Sequence, residues 1–124
     1  MSTILIVDDS AVARRRARNI LEEAGHQVTE VEDGMAAIES YFLTRPDIVL
    51  LDLVMKGMYG LEVLTKLREL DEDARVIVVS ADVQHSSHQL AKEAGAVGFL
   101  TKPFDADEIL SLIRSKLEGA PQCN

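Results

Sequence analysis

Four apolar or nearly apolar runs in this chain end on residues able to do chemistry. Ile4–Val7 leads to Asp8 and Asp9, Ile48–Leu51 to Asp52, Val76–Val79 to Ser80, and Val97–Thr101 to Lys102. Were these runs strands of one parallel sheet, the residues would meet at its carboxyl edge, where open α/β sheets bind ligands. Three carboxylates, one hydroxyl and one ammonium would then share a site. Clustered carboxylates raise one another's pKa unless a cation lies between them. An all-oxygen set with few protein ligands favours Mg2+, which keeps waters and accepts phosphate oxygens. With no His or Cys in the set, zinc is a poor match. Mg2+, an aspartate, an ammonium and a hydroxyl are what phosphoryl transfer to a carboxylate needs: the aspartate attacks phosphorus while the others hold the equatorial oxygens. Asp52, at the end of IVLLD, is the candidate nucleophile, and the adjacent Asp8 and Asp9 suit metal ligation. Taken singly, each residue has a plainer reading. Asp9 or Ser10 could be a helix N-cap, Ser80 a turn hydroxyl, and Lys102 a surface lysine. Recurrence at separate strand ends outweighs those readings.

The elements that would place these residues are legible as well. Five short segments read as strands: Thr3–Val7, Gln27–Val31, Asp47–Leu51, Arg75–Val79 and Val97–Thr101. All but the second are nearly continuous apolar runs, as expected of strands covered on both faces. Helical periodicity lies between them. Ala11–Ala24 carries Ala13, Ala17, Ile20, Leu21 and Ala24 on one stripe, and a second helix spans about Met35 to Leu43 after Asp33-Gly34. Leu61–Leu70 turns Leu61, Leu64 and Leu67 inward. The last helix opens on an Asp105/Glu108 capping box, buries Ile109, Leu112, Ile113 and Leu117, and ends before Gly119. Gln84–Ala94 has only Leu90, Ala91 and Ala94 to bury, so it is either an ordinary polar helix or a segment that moves. The βα unit thus repeats five times, giving a parallel sheet with helices on both faces.

Composition agrees with one such domain. The chain has 124 residues, 47% of them hydrophobic but only 4% aromatic, so its core should be aliphatic. A formal net charge of −8 argues against binding nucleic acid directly. The only cysteine, Cys123, permits no disulfide framework, which favours a reducing cytoplasm. No apolar run approaches the roughly 20 residues that span a bilayer, and no signal peptide is evident.

Five motifs in this order and spacing give the chain a family likeness: ILIVDDS at Ile4–Ser10, IVLLDLVM at Ile48–Met55, GLEVL at Gly60–Leu64, VIVVSA at Val76–Ala81 and AGAVGFLTKPF at Ala94–Phe104. Over nearly its whole length the sequence resembles the CheY-like response regulator receiver domains of bacterial two-component signalling. The resemblance implies a flavodoxin-like, doubly wound (βα)5 fold with strand order 2-1-3-4-5. The receiver would cover residues 1–118, with 119–124 as a flexible tail. It implies Asp8, Asp9, Asp52 and the backbone carbonyl of Val54 as Mg2+ ligands, and Asp52 as the phosphoacceptor. Ser80 and Lys102 would contact the phosphoryl group, with a cis peptide between Lys102 and Pro103. Phe99 stands where the family has its aromatic switch residue. Lacking a hydroxyl, it would act through packing alone, or be a plain core residue. The implied partner is a sensor histidine kinase or a His-containing phosphotransfer protein. The effect would reach a downstream protein through the surface of the fourth helix, fifth strand and fifth helix, as in chemotaxis-like signalling. Monomer and phosphorylation-dependent dimer are both compatible with this. A phosphorelay shuttle or phosphate sink is the alternative role. A small Mg2+-dependent aspartyl-phosphate phosphatase is remote, because Asp8 and Asp9 are adjacent and the chain has no room for a substrate cap.

The sequence departs from the family pattern at one point and carries chain-specific features elsewhere. Lys56 replaces the usual proline four residues after Asp52, leaving its loop less pre-ordered and more positive. Val54 and Asp82 would flank the path of the hydrolytic water and tune the lifetime of the acyl phosphate. Arg14, Arg15, Arg16 and Arg18 form a basic helix face, either solvated or, through Arg14, Arg15 and Arg18, docking the phosphodonor. His85 and His88 are read as surface residues rather than a metal pair.

Overall fold

A computed structural model describes residues 2–54, 60–81 and 85–118, with the side chains of 85–87 left aside. Lys56, Asp82, the tail from Gly119 onward and the His85 side chain therefore lie outside the described residues. The elements alternate without exception: β1 (Thr3–Val7), α1 (Ala11–Glu23), β2 (Gln27–Val31), α2 (Gly34–Thr44), β3 (Ile48–Asp52), α3 (Gly60–Leu70), β4 (Val76–Ser80), α4 (His85–Glu93), β5 (Gly98–Thr101) and α5 (Ala106–Glu118). All neighbouring strands are parallel, in the order β2-β1-β3-β4-β5. This is the flavodoxin-like order that the resemblance implied.

Residue parity along each strand sorts the core. Alternate side chains point to opposite faces of a sheet. Leu5, Val7, Val49, Leu51, Val76 and Val78 accordingly pack with Ala37 and Tyr41 of α2, Val63, Leu64 and Leu67 of α3, and Ala91 of α4. Ile4, Ile6, Ile48, Leu50, Ile77 and Val79 pack with Ala17 and Leu21 of α1 and Ile109 and Ile113 of α5. β2 lies at an edge and is only half-covered, which is why it alone is not a continuous apolar run.

Several expected packing positions shift. Ala24 is not on the buried stripe of α1: it follows the last helical turn and is exposed. Leu90 is likewise 52% exposed, leaving Ala91 as the one fully buried side chain among those described on α4. Val63 is completely buried beside Leu64 and Leu67, while Leu61 is only half-covered. The core is mainly aliphatic but includes Tyr41 and Phe104. The Asp105/Glu108 capping box is formed: Glu108 N donates to Asp105 Oδ1 at 2.8 Å and Asp105 N to Glu108 Oε1 at 2.9 Å.

The start of α3 bears directly on the sheet edge. Gly60 N donates to Leu53 O at 3.0 Å, so the helix packs against the peptide that follows Asp52. A Cβ on Gly60 would fall 2.5 Å from Leu53 Cα and 2.7 Å from Asp52 O. Both are backbone atoms and cannot rotate aside. Gly60→Ala is therefore expected to destabilise the domain by about 1–3 kcal/mol, by overpacking at a point that cannot relax. A lower urea midpoint at unchanged slope would show this; an unchanged midpoint would show that the loop yields freely.

Candidate functional site

Four strands bring their polar ends to one edge. Asp52 is the last residue of β3 and Ser80 the last of β4, while Asp8 and Lys102 immediately follow β1 and β5. Parity decides where they face. Asp52 continues the Ile48–Leu50 series toward α1 and α5, and so lies above a small cavity lined by Ile6, Ala17, Leu50, Val79 and Phe104. Ser80 continues the Val76–Val78 series toward α3 and α4.

Lys102 joins the acids. Its Nζ donates to Asp8 Oδ2 at 2.9 Å and to Asp52 Oδ2 at 3.1 Å. The second oxygen of each carboxylate accepts a backbone N–H two residues downstream: Ser10 N to Asp8 Oδ1 at 2.9 Å, and Val54 N to Asp52 Oδ1 at 3.1 Å. Asp8, Asp52 and Ser80 are buried, whereas Asp9 is exposed at the rim. Burial pushes the Asp52 carboxyl above its ordinary range, with the Asp8 charge adding to the rise; the Val54 N–H and Lys102 oppose it. For Lys102, burial alone would lower the pKa. The hydrogen bonds and charges of Asp8 and Asp52 outweigh it, and the ammonium is held above its usual value.

The arrangement suits a divalent cation. One oxygen each from Asp8, Asp9 and Asp52 lies within 4.8 Å of the others. Three carboxylates against the single ammonium of Lys102 leave a formal charge of −2 at a partly buried edge. Such a set of hard oxygens matches Mg2+. Val54 is 63% exposed.

The remaining expected residues are distributed as follows. The Lys102–Pro103 peptide is cis. Phe99 is half-buried on the α4 side of β5, opposite Val78 and two pairs before Ser80↔Thr101. Its ring stacks on that of His88 of α4, with centroids 5.0 Å apart and planes 20° from parallel. Arg15 is exposed. Arg14 and Arg18 are engaged within the domain, both with Glu30 of β2. Arg16 donates to Phe104 O and lies over its ring, 5.0 Å from the centroid.

Three of these contacts were not anticipated from the sequence: Gly60 on the Asp52–Leu53 peptide, His88 on Phe99, and Arg14 with Glu30. Only the last left a signal. Glu30 shares the parity of Val28, on the face covered by α1, and a charge at an inward strand position calls for a partner.

Comparison with known proteins agrees with the geometry. The chain is 41% identical over 115 residues to the chemotaxis protein CheY of Bacillus subtilis, covering 92% of this chain and 96% of that protein. It is 37% identical over 114 residues to sporulation initiation phosphotransferase F of the same organism, covering 92% of each. Among solved structures, a LuxR-family two-component response regulator from an Aurantimonas species superposes with a TM-score of 0.91 at 33% identity, covering 96% of this chain and 86% of that one. The response regulator TrrA of Thermotoga maritima, solved in complex with Mg2+–BeF, superposes with a TM-score of 0.86 at 32% identity, covering 94% and 99%. The response regulator receiver domain family matches residues 4–114, a span that takes in every residue of the acidic edge and all five strands but for Thr3, and the chain belongs to that family.

Proposed function

We propose that Asp52 is the phosphoacceptor of this receiver, taking a phosphoryl group from a phosphohistidine on a sensor kinase or phosphotransfer protein. The observation that carries this reading is the ammonium of Lys102 spanning Asp8 and Asp52 at 2.9 and 3.1 Å on the carboxyl edge. One oxygen of Asp52 bonds to phosphorus as the P–N bond breaks, and the electron pair of that bond returns to the partner's imidazole. Lys102 exchanges part of its contact with Asp52 for an equatorial phosphoryl oxygen, and the Ser80 hydroxyl donates to another. Asp8, Asp9, Asp52 and the Val54 carbonyl would hold Mg2+, which when bound screens the charge on the phosphoryl oxygens. The phosphodonor would approach beside α1, where Val12 and Arg15 are exposed. Hydrolysis of the acyl phosphate belongs to the same proposal, with Val54 and Asp82 flanking the water path. A reducing cytoplasm suits these partners, and among the described residues no helix is long and apolar enough to cross a membrane.

The consequence of phosphorylation would travel through Ser80 and Phe99. The two side chains share a face and lie on neighbouring strands, so movement of Ser80 toward a phosphoryl oxygen opens space beside Phe99. Because Phe99 stacks on His88, a shift of its ring is felt by α4, where Ala91 is the one fully buried side chain among those described. The output surface is then α4-β5-α5. Onward transfer from Asp52 in a relay is the second reading, favoured by the 37% identity to a protein named as a phosphotransferase.

Acetyl phosphate and Mg2+ should label the wild-type chain on a phosphate-affinity gel, and neither Asp52→Asn nor chelated wild type should be labelled. Label that persists in Asp52→Asn would end the proposal. The raised Asp52 pKa carries a sign that can be checked. The folded state binds a proton here more readily than the unfolded state, so stability is lost as pH rises through the folded pKa. Asp52→Asn should therefore stabilise the domain at neutral pH by about 1 kcal/mol, read as a higher urea midpoint. Mg2+ affinity, measured by calorimetry, should decline on acidification in a window above the ordinary carboxylate pKa of about 4. For the output path, beryllofluoride should shift amide resonances across α4 in the wild type. Phe99→Ala should leave phosphoryl uptake intact while those α4 shifts shrink; α4 shifts of undiminished size would place the path elsewhere.

A further inference from the structure

The acidic site depends on two adjacent aspartates facing the same way. Along a strand, successive side chains alternate, so a chain that presents both Asp8 and Asp9 must leave the β1 pattern at this step. The amide of Asp8 still follows the sheet, donating to Val31 O at 3.2 Å. Its carbonyl has left the ladder and instead accepts from Arg14 Nη1 at 2.7 Å. Arg14 is itself fixed: its Nε donates to Glu30 Oε1 at 3.1 Å, its Nη2 lies 3.8 Å from Glu32, and its side chain is only 14% exposed. Glu30 is in turn held by Arg18, which pairs with Glu22. Hydrogen bonds from Arg18 and Arg14 keep the Glu30 carboxyl below the ordinary range despite its burial.

We infer that Arg14 is a positioning residue for the cation site, clamping the Asp8 carbonyl so that the Asp8-Asp9 turn presents both carboxylates, with Glu30 holding and neutralising the guanidinium. The inference rests on the reading of Asp8, Asp9 and Asp52 as Mg2+ ligands. A fork of donors suits this position because Nε and Nη1 reach two acceptors that lie apart, the Glu30 carboxylate and the Asp8 carbonyl, whereas a lysine ammonium donates from a single point. Neutralisation by Glu30 matters equally. An unpaired guanidinium so close to the acids would compete with a divalent cation, whereas a paired one orients the backbone without adding net charge. Outer-shell partners of this kind govern metal affinity without touching the metal.

The test is a Mg2+ titration by calorimetry on folded wild type, Arg14→Met, Arg14→Lys and Glu30→Gln, with urea unfolding of each. Arg14→Met should weaken Mg2+ binding roughly tenfold. Arg14→Lys should recover part of that loss, and Glu30→Gln should fall between wild type and Arg14→Met. In the absence of metal, the carbonyl carbon resonance of Asp8 should move in Arg14→Met. If the variants lower the urea midpoint but keep wild-type Mg2+ affinity and the wild-type Asp8 resonance, Arg14 is only a tie between α1 and β2 and the inference is overturned. If Arg14→Met does not fold, Arg14→Lys and Glu30→Gln carry the same comparison. Wild type that binds no Mg2+ would overturn the cation-site reading and the inference together, an outcome distinct from normal wild-type binding unaffected by the variants.

Discussion

Mutual repulsion among Asp8, Asp9 and Asp52 is the constraint around which this domain is arranged. Three carboxylates within 4.8 Å of one another oppose the fold that gathers them, and burial of Asp52 adds to the opposition. Lys102 offsets part of that repulsion and two backbone N–H groups satisfy further lone pairs, but a formal charge of −2 is left over. That remainder is the useful part. A site neutral in itself would have no call on a divalent cation, and one without Lys102 would leave Asp8 and Asp52 without their shared counter-charge.

The sheet makes such a site tolerable because its stability lies elsewhere. Fully buried aliphatic side chains cover both faces of β1, β3 and β4, and they hold the strands in register regardless of what the strand ends carry. Parity then divides the output. Asp52 inherits the α1 and α5 side, where the phosphodonor would approach, and Ser80 inherits the α3 and α4 side.

How far this was legible in the sequence depends on whether the relevant interaction is local. Strand positions came through because β1, β3 and β4 are buried on both faces and, with β5, read as nearly continuous apolar runs; β1, β2 and the end of β5 were placed at their observed residues. The polar ends of those runs announced the edge. What the sequence could not show was contact between residues distant in the chain. Gly60 reads as one more helix-start glycine until the Asp52–Leu53 peptide is seen lying against it. His88 reads as a surface residue on a polar helix, and only the crossing of α4 over β5 turns it into the packing partner of Phe99. Ala24 and Leu90 fit a helical stripe by spacing alone, but α1 has ended before the first, and the second projects beyond the layer that α4 covers.

The arginine run on α1 illustrates the same limit in the opposite direction. By composition, four arginines on one helix of an acidic protein suggest a surface waiting for a partner. A helix, however, presents its flanks to neighbouring elements before it presents its back to solvent. Arg14 and Arg18 are four residues apart, on the flank facing β2, and the inward Glu30 draws both. Arg16 leans over Phe104 on the other flank, just beyond the Lys102–Pro103 step. The basic face is therefore two sets of braces with Arg15 exposed on the back. On one side they hold the loop carrying Asp8 and on the other the loop carrying Lys102. Much of the positive charge that suggests an external docking signal is engaged within the domain, by Glu30 and by the carbonyl and ring of Phe104.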